Sequence, residues 1–386
     1  MPGVSFSDNG GMTSASHSSD SAEPFEGLRI RGVAKTFGTD TTVLNEIDLD
    51  VHPGELISLV GSSGTGKSTL LRIIAGLEEP SAGRVTYAGQ PLERGSVGVV
   101  FQHPILYPHL SVKDNILFPT RLGAFAGRVD MDYYRELLEA LKLEGLESRK
   151  PSQLSGGQAQ RVGIARALIR RAPVVLFDEP LASVDEEMSA SIRADIVRLH
   201  ERYGFTGLYV THDQNEALML GQRVAVMDAG YLVQVDTPER LLAHPHTLQV
   251  AKLMAAPALN LVALEDSAVL PAGCQLAIRA TALCPVAADA AHSLPVQVLG
   301  SRHLVGGMLY RARLLEAVSL PLESRRASAD SEPSDRVYAR VRAGQELEFF
   351  IPDAQSGSSL NVGDRVHLGV AAERCFVFSN GKRFYL

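Results

Sequence analysis

A glycine-rich segment that follows a short apolar run carries the residues best suited to bind phosphate. The apolar run 56–60 leads into Gly61-x-x-x-x-Gly66-Lys67-Ser68, and apolar residues at helical spacing come next. In this strand–loop–helix context glycines let backbone N–H groups turn inward, and the helix N-terminus adds positive potential. Lys67 supplies a point charge for the β/γ-phosphates, and the Ser68 hydroxyl is placed to ligate Mg²⁺. We therefore predict a nucleotide-phosphate site here; a chance Gly/Ser-rich turn is the disfavoured alternative.

Polar residues follow two other apolar runs that are predicted to be buried strands. Asp178 and Glu179 end the run that begins at Val174, and His212 comes shortly after the run 208–210. An aspartate at such a strand end holds Mg²⁺, and a neighbouring glutamate can polarise the water that attacks the γ-phosphate. His212 lies where a γ-phosphate sensor is needed, because ligands bind at the carboxyl ends of parallel strands. The simpler alternatives are a solvated acidic pair and a structural histidine.

The roles of three further residues cannot be assigned from the residue type alone and depend on the neighbouring structure. Gln102 follows the short strand 97–101, and its side chain could reach Mg²⁺ or the attacking water; a solvated loop residue is the alternative. Ser155 is a natural N-cap before two glycines, which predicts either a second anion site or an ordinary capped helix. Phe37 lies upstream of the glycine-rich loop, where an aromatic ring could stack on a base, and a core or edge aromatic is equally compatible.

Length and composition limit the classes of protein that fit. With 386 residues, 45% hydrophobic and 21% charged, the chain is typical of a soluble globular protein with room for two domains. A net charge of −7 gives no indication of a general affinity for nucleic acid. The sequence has no run of 18 apolar residues, so work at a membrane would require docking onto a partner.

The hydrophobic pattern divides the chain into two folded parts. Residues 1–25 are rich in Ser, Gly and Asp and are predicted to be a disordered tail. Residues 26–245 mix strands and helices, which predicts an α/β domain whose first two strands form an antiparallel edge leading into strand 56–60. Residues 246–386 carry short β-like runs separated by turns, which predicts a small all-β barrel. Residues 319–335 interrupt that pattern and are predicted to be a flexible insertion.

Taken together, these motifs resemble the ATP-binding subunits of ABC transporters, in the family's order. The matching segments are the Phe37 A-loop aromatic, Walker A at Gly61–Thr69, the Q-loop at Gln102, the Leu-Ser-Gly-Gly-Gln signature at Leu154–Gln158, Walker B at Val174–Asp178, the D-loop around Asp185, and the switch histidine His212. Ala182 and Val184 stand where the family's D-loop usually has Ser and Leu, so communication between the two subunits of a dimer could differ from that of the family.

The resemblance implies a P-loop ATPase with a RecA-like core and a helical subdomain, using ATP and Mg²⁺. The residues it assigns to ATP are Phe37, Gly61, Ser62, Ser63, Gly64, Thr65, Gly66, Lys67, Ser68, Thr69 and Gln102. It assigns Mg²⁺ to Ser68, Gln102 and Asp178, and catalysis to Glu179, His212 and Lys67. Ser155, Gly156, Gly157 and Gln158 would contact the ATP of a second subunit.

The carboxyl-terminal part resembles the OB/TOBE-like regulatory domain of importer ATPases. This implies a head-to-tail dimer, of two copies or of paralogous subunits, docked on two integral membrane permease subunits at the cytoplasmic face of the plasma membrane. A substrate-binding protein would be an indirect partner. Residues 254–260 resemble a segment of carbohydrate and glycerol-phosphate importers; iron, sulfate, phosphonate and polyamine stay open as cargo.

The sequence disfavours two other classes of function. A soluble ABC ATPase that acts on nucleic acid or ribosomes would carry tandem cassettes or a long coiled-coil insertion, and the sequence has neither. A module that senses ATP without hydrolysing it would not need Glu179 and His212.

Overall fold

The computed structural model describes residues 25–122, 129–265, 270–271, 273–322, 337–355, 359–370 and 374–384. The predicted tail lies outside this range except for its last residue. The ring of Phe25 packs edge-on against His52, with 5.4 Å between the ring centroids. Within the described ranges no helix is long and apolar enough to cross a bilayer.

The first part of the chain, up to residue 254, contains strands and helices in mixed order. Its strands are β1 (Leu28–Phe37), β2 (Thr41–Val51), β3 (Leu56–Val60), β4 (Ala82–Tyr87), β5 (Gln90–Pro91), β6 (Gly98–Val100), β7 (Val174–Asp178), β8 (Thr206–Thr211), β9 (Arg223–Asp228) and β10 (Tyr231–Asp236). Its α-helices are α1 (Lys67–Ile74), α2 (Val112–Leu117), α3 (Met131–Ala140), α4 (Gly156–Leu168), α5 (Glu186–Tyr203), α6 (Gln214–Leu220), α7 (Pro238–Ala243) and α8 (Leu248–Leu253).

A six-stranded sheet in the order β10-β9-β3-β8-β7-β6 forms the centre of this part. Its strands run parallel except for β10, which pairs antiparallel with β9. Every residue of β3 is buried, as expected for a central strand covered on both faces. The carboxyl ends of β3, β7 and β8 lie at the same edge of the sheet, so the segments that follow them meet there.

The two amino-terminal strands do not join the parallel sheet. They pair antiparallel with each other, as expected, but within a separate sheet of order β2-β1-β4-β5. Apolar residues of both sheets form one core with α1 between them. Helices α2, α3 and α4 lie between β6 and β7 in the chain and pack in a second core with α5.

The last part of the chain is β-rich and has a core of its own. Its strands are β11 (Leu259–Ala263), β12 (Gln275–Arg279), β13 (Cys284–Val286), β14 (Leu294–Leu304), β15 (Gly307–Leu314), β16 (Val318–Leu322), β17 (Val337–Val341), β18 (Glu346–Pro352), β19 (Arg365–Gly369), β20 (Cys375–Ser379) and β21 (Lys382–Phe384). They form antiparallel sheets in the orders β11-β12-β20-β21, β13-β19-β14-β15-β18 and β16-β17. Closure into a barrel stays a prediction.

The predicted insertion 319–335 was wrong at its start. Residues 319–322 belong to β16, which pairs with β17 and buries Leu320 and Leu322. Pro321 is unusual inside a strand, and the pairing strand β17 begins 15 residues after the end of β16, which concealed the pairing. Residues 323–335 lie outside the described ranges.

Candidate active site

The ammonium group of Lys67 lies inside the loop that joins β3 to α1. Its Nζ donates to the carbonyl oxygens of Gly61 at 2.8 Å and Ser62 at 3.0 Å. Burial lowers the pKa of Lys67, while the carboxylates of Glu179 and Asp178 act in the opposite direction. The loop is therefore wrapped around a cation, as expected for a site that binds phosphate.

Two glycines of this loop are required by its shape. Gly66 has a φ of 99°, a left-handed conformation that favours glycine, and a β-carbon there would lie 2.6 Å from the side chain of Leu44. A β-carbon on Gly61 would lie 2.4 Å from the carbonyl oxygen of Met227. The close approach of neighbouring strands thus explains the residue type at both ends of the motif.

Ser68 and Asp178 come together at the start of α1 and the end of β7. The Ser68 hydroxyl donates to Asp178 Oδ1 at 3.2 Å. Burial raises the pKa of Asp178, and the hydrogen bond from Ser68 partly offsets this. Oxygen atoms of this kind suit Mg²⁺. In the described ranges no cluster of three or more His, Cys, Asp or Glu is placed to hold a metal, so an ion here would need phosphate and water ligands as well.

Glu179 and His212 meet at the ends of the neighbouring strands β7 and β8. Oε2 of Glu179 lies 2.9 Å from Nδ1 of His212. Because a carboxylate only accepts hydrogen bonds, Nδ1–H is the donor and Nε2 is left for another partner. Glu179 has a φ of 44°, a strained value for a residue with a side chain, and its N–H donates to the Val210 carbonyl at 2.9 Å. The strain turns this carboxylate toward the histidine.

The segment that carries His212 is held by contacts that were not predicted. Thr211 Oγ1 and the Tyr209 hydroxyl donate to Oε2 of Glu216 at 2.8 and 3.1 Å, and the Asp213 N–H donates to Thr211 Oγ1 at 3.0 Å. Burial raises the pKa of Glu216. Asp213 also caps α6, and its spacing to Glu216 is the sequence signal that could have revealed this support.

Gln102 is exposed, and it forms no hydrogen bond or ion pair with the described residues, so the structure does not bring it to Asp178 or Ser68. Its neighbour His103 lies with Nδ1 3.0 Å from Ser183 Oγ, which links this loop to the segment after β7. Eighty residues separate the two, and sequence reasoning did not predict their contact.

The predicted signature segment forms the amino-terminal end of α4. Ser155 Oγ accepts the Gln158 N–H at 3.3 Å, and Gln158 Oε1 accepts the Ser155 N–H at 3.0 Å, which is a reciprocal capping box. Ser155 and Gly156 are exposed, whereas Gly157 is buried. No hydrogen bond or ion pair among the described residues joins this segment to the loop around Lys67.

Gly157 packs directly against the start of α5. A β-carbon on Gly157 would lie 2.5 Å from Cγ of Met188. Asp185, the predicted D-loop residue, caps α5 by accepting the Met188 N–H at 2.9 Å. The signature and the D-loop segment of one chain are therefore in close contact.

Phe37 lies at the end of β1 with 43% of its surface exposed, which excludes the core alternative. The ammonium group of Lys35 lies 4.9 Å from the centroid of its ring. The ring is thus available for stacking, and the Lys35 ammonium group beside it is paired with Glu78.

Comparison with known proteins agrees with this arrangement. Residues 44–182 match the family model described as ABC transporter. The chain is 42% identical over 266 residues to the sn-glycerol-3-phosphate import ATP-binding protein UgpC of Salmonella typhi, an alignment that covers 66% of this chain and 74% of that protein. The chain belongs to the ABC transporter family of ATP-binding proteins.

Two further relatives of this ABC transporter ATPase are informative. It is 45% identical over 241 residues to UgpC 1 of Rhizobium johnstonii, also named an sn-glycerol-3-phosphate import ATP-binding protein; 61% of this chain and 65% of that protein are covered. The chain thus spans about two thirds of the length of that relative. The solved structure of cbiO1 from Clostridium perfringens, described as part of the ABC transporter complex cbiONQ, has a TM-score of 0.51 and 27% identity, covering 57% of this chain and 92% of that one.

Proposed function

We propose that this ABC transporter ATPase powers solute uptake by hydrolysing ATP with Mg²⁺. The observation that carries the proposal is the Glu179–His212 hydrogen bond, beside the Lys67 loop at the carboxyl edge of the parallel sheet. A module that only sensed ATP would have no need of a strained backbone that places a carboxylate next to a histidine.

Each residue of the site has a role that its surroundings support. Lys67 and the N–H groups of the loop hold the β/γ-phosphates, and Ser68 and Asp178 would hold Mg²⁺. The ion would neutralise charge on the transferring phosphoryl group. Glu179 takes a proton from the attacking water. His212 would hold the γ-phosphate by donating from Nε2–H, and because Nδ1–H already donates to Glu179, this contact requires that both ring nitrogens carry a proton. Most of the rate then comes from positioning and electrostatic stabilisation.

Gln102 is assigned to the Mg²⁺ or the attacking water in this proposal. Its exposed side chain would have to move toward the site when nucleotide binds, and the neighbouring His103–Ser183 contact is the described link between its loop and β7.

The complete site requires two chains. The sequence holds one phosphate loop and one signature, and the capped end of α4 presents Ser155 and Gly156 at the surface. In the proposed head-to-tail dimer the signature of one chain, Ser155–Gln158, covers the ATP held by the other. Asp185 would lie at the dimer seam, because it caps the helix that packs on Gly157.

Cross-linking tests the dimer. Ser63→Cys and Ser155→Cys are combined in a Cys284→Ser, Glu179→Gln background, since Cys284 is exposed whereas Cys274 and Cys375 are buried. Oxidation with ATP should give a covalent dimer on a non-reducing gel, and each single cysteine variant should give none. A disulfide within one chain, or no ATP-dependent product, would contradict the head-to-tail arrangement.

A groove beside Gln102 is suited to a permease loop. It has a volume of about 320 Å³ and is lined by Ile105, Tyr107 and Leu122, apolar residues that are all exposed, and by Arg166. Exposed apolar patches of this kind mark protein interaction sites. Docking there would place the chain at the cytoplasmic face of the membrane, bound to two permease subunits and, through them, to a substrate-binding protein.

The proposed cargo is sn-glycerol 3-phosphate, which rests on the printed names of the relatives. In source cells that lack this chain, uptake of labelled sn-glycerol 3-phosphate should fall, and the wild-type chain should restore it while Glu179→Gln should not. Carbohydrates, iron, sulfate, phosphonates and polyamines are measured in parallel. If uptake of glycerol 3-phosphate is unchanged and uptake of another solute falls, that solute is the cargo instead. If uptake of none of these solutes falls, the proposal that the chain powers an importer is refuted.

A further inference from the structure

A second cavity lies between the first part of the chain and the β-rich part. Its volume is about 680 Å³, within the range of roughly 300–1,000 Å³ that is usual for small-molecule sites. Gln214 at the start of α6, Leu242 at the end of α7, and Met254 line one side. Arg279 from β12 and Phe376 from β20 line the other. The cavity is separate from the phosphate loop, and none of the residues 61–69 lines it.

Among the described residues, Arg279 has a hydrogen-bond partner for one of its three side-chain nitrogen atoms. Nη1 donates to the Leu242 carbonyl at 2.6 Å, and the guanidinium lies 5.1 Å from the centroid of the Phe376 ring. Nε and Nη2 are buried and have no hydrogen-bond partner among the described residues. These two nitrogens form the edge of the guanidinium with parallel N–H groups, the geometry that binds one carboxylate or phosphate group through two hydrogen bonds.

The charges around Arg279 favour an anion. Burial and the neighbouring Arg383 lower the pKa of Arg279 to about 10, so it stays a cation at neutral pH. Arg374 adds a second positive group to the lining, and Glu239 is the acidic residue among the described lining residues; both are exposed. A buried guanidinium is costly without a counter-charge. The hydrogen bond from Nη1 of Arg279 to the Leu242 carbonyl joins the two parts of the chain. That structural role does not explain why Nε and Nη2 are buried without partners among the described residues.

Gln214 adds a second requirement on the ligand. Its side-chain oxygen Oε1 is buried without a hydrogen-bond partner among the described residues, and Gln214 is one of the residues that line the cavity. A buried acceptor needs a donor, and a ligand hydroxyl would supply one. Leu218, Leu242 and Met254 provide apolar contact for a short carbon chain.

We propose that this cavity binds a small organic anion that carries a phosphate or carboxylate group and at least one hydroxyl. The oxyanion pairs with Nε and Nη2 of Arg279, and the hydroxyl donates to Gln214. Gln214 begins α6, two residues after His212, so the site adjoins the segment that carries the histidine. The proposal does not depend on which solute is transported.

Calorimetric titration of the full chain tests the site, with Mg²⁺ and ADP present in excess so that the phosphate loop is filled. The probes are sn-glycerol 3-phosphate, D-glycerate, glycerol and inorganic phosphate. Either sn-glycerol 3-phosphate or D-glycerate should bind, with one molecule per chain. Binding of the first would identify the ligand as a phosphate ester, and binding of the second as a carboxylate. Glycerol should not bind, and inorganic phosphate should bind more weakly than the organic anion.

Two variants connect binding to the named atoms. Arg279→Lys keeps the positive charge but loses the two parallel N–H groups of the guanidinium. Affinity for the organic anion should therefore fall at least about tenfold, which corresponds to the loss of one charge-assisted hydrogen bond. Gln214→Leu should also weaken binding, and it keeps the domain contact of Arg279. Arg302→Lys, an exposed change in the same β-rich part, is the matched control and should have no effect. Absence of saturable binding of either organic anion up to about 10 mM, equal affinity for inorganic phosphate, or unchanged affinity in both variants would overturn the proposal.

Discussion

Oε2 of Glu179 lies 2.9 Å from Nδ1 of His212, and this contact joins the ends of two neighbouring parallel strands. The Glu179 side chain is 23% exposed and that of His212 is 57% exposed, so water can reach the carboxylate. A general base must be both held in place and accessible to the water it activates. The pair meets both conditions.

Glu179→Gln should therefore bind ATP normally and hydrolyse it at least about 10²-fold more slowly, the usual contribution of a general base. The amide can still accept the His212 hydrogen bond, so the fold should not change. Phosphate release and equilibrium ATP binding are measured on the same preparation. Glu187→Gln, on the exposed side of the start of α5, is the matched control. A variant that retains the wild-type rate would remove Glu179 from the role of base.

The residue types at this site could be predicted from the sequence because local pattern determines them. The apolar runs of β3 and β7 are continuous, and each ends in a polar motif at the strand terminus. The hydrogen bond between Glu179 and His212 could not be predicted in the same way. It depends on β7 and β8 being neighbours in the sheet and on the positive φ of Glu179, and neither is encoded by a local pattern.

Other differences from prediction also arise from non-local pairing. Pairing with β17 makes residues 319–322 a strand, although the segment resembles an insertion when taken alone. The His103–Ser183 contact requires two loops to converge across the sheet edge. For Phe37 the sequence is compatible with a base-stacking ring and with a core or edge aromatic. Its exposure at the end of β1 excludes the core alternative, and base stacking stays a prediction.

The contact between Gly157 and Met188 predicts a coupling that can be measured. Gly157→Ala would place its new β-carbon 2.5 Å from Met188 Cγ, close to the helix backbone, and such overpacking costs about 1–3 kcal/mol. Met188→Ala removes the obstructing atoms. Gly157→Ala should thus destabilise the wild-type chain and be neutral or slightly stabilising when Met188→Ala is already present.

A double-mutant cycle on the free energy of unfolding gives the coupling directly. ATPase activity of the four proteins is recorded alongside. We expect stability to recover in the double variant, because the new β-carbon points toward the space that the Met188 side chain vacates. Additive changes in stability would contradict the packing argument.

Phe37→Ala should weaken ATP binding only by removing the ring on which the adenine base stacks. Stacking of a base on an aromatic ring is worth about 1–3 kcal/mol, so we expect a loss of about tenfold in affinity. Phe37→Tyr keeps the ring and should bind ATP normally. Tripolyphosphate has no base, and its affinity should be the same in all three proteins. An equal loss for ATP and tripolyphosphate would show that Phe37 supports the loop instead of the base.

His200 should make the folded chain sensitive to mild acid. Its Nε2 donates to the Gly54 carbonyl at 3.0 Å, and burial lowers its pKa below the ordinary 6.5 although this hydrogen bond acts in the opposite direction. The unfolded chain takes up a proton near pH 6.5 and the folded chain only at lower pH. Stability is therefore lost as the pH falls below 6.5, and the loss ends at the lowered pKa.

His200→Gln keeps a donor for the Gly54 carbonyl and does not titrate in this range. The free energy of unfolding in urea is measured for both proteins from about pH 7.5 to about pH 5. The wild type should lose more stability than the variant over this interval, and the difference should grow as the pH falls through 6.5. His246→Gln, a change at an exposed histidine, is the matched control for the substitution itself. Parallel pH profiles for wild type and His200→Gln would mean that His200 titrates alike in the folded and unfolded chains.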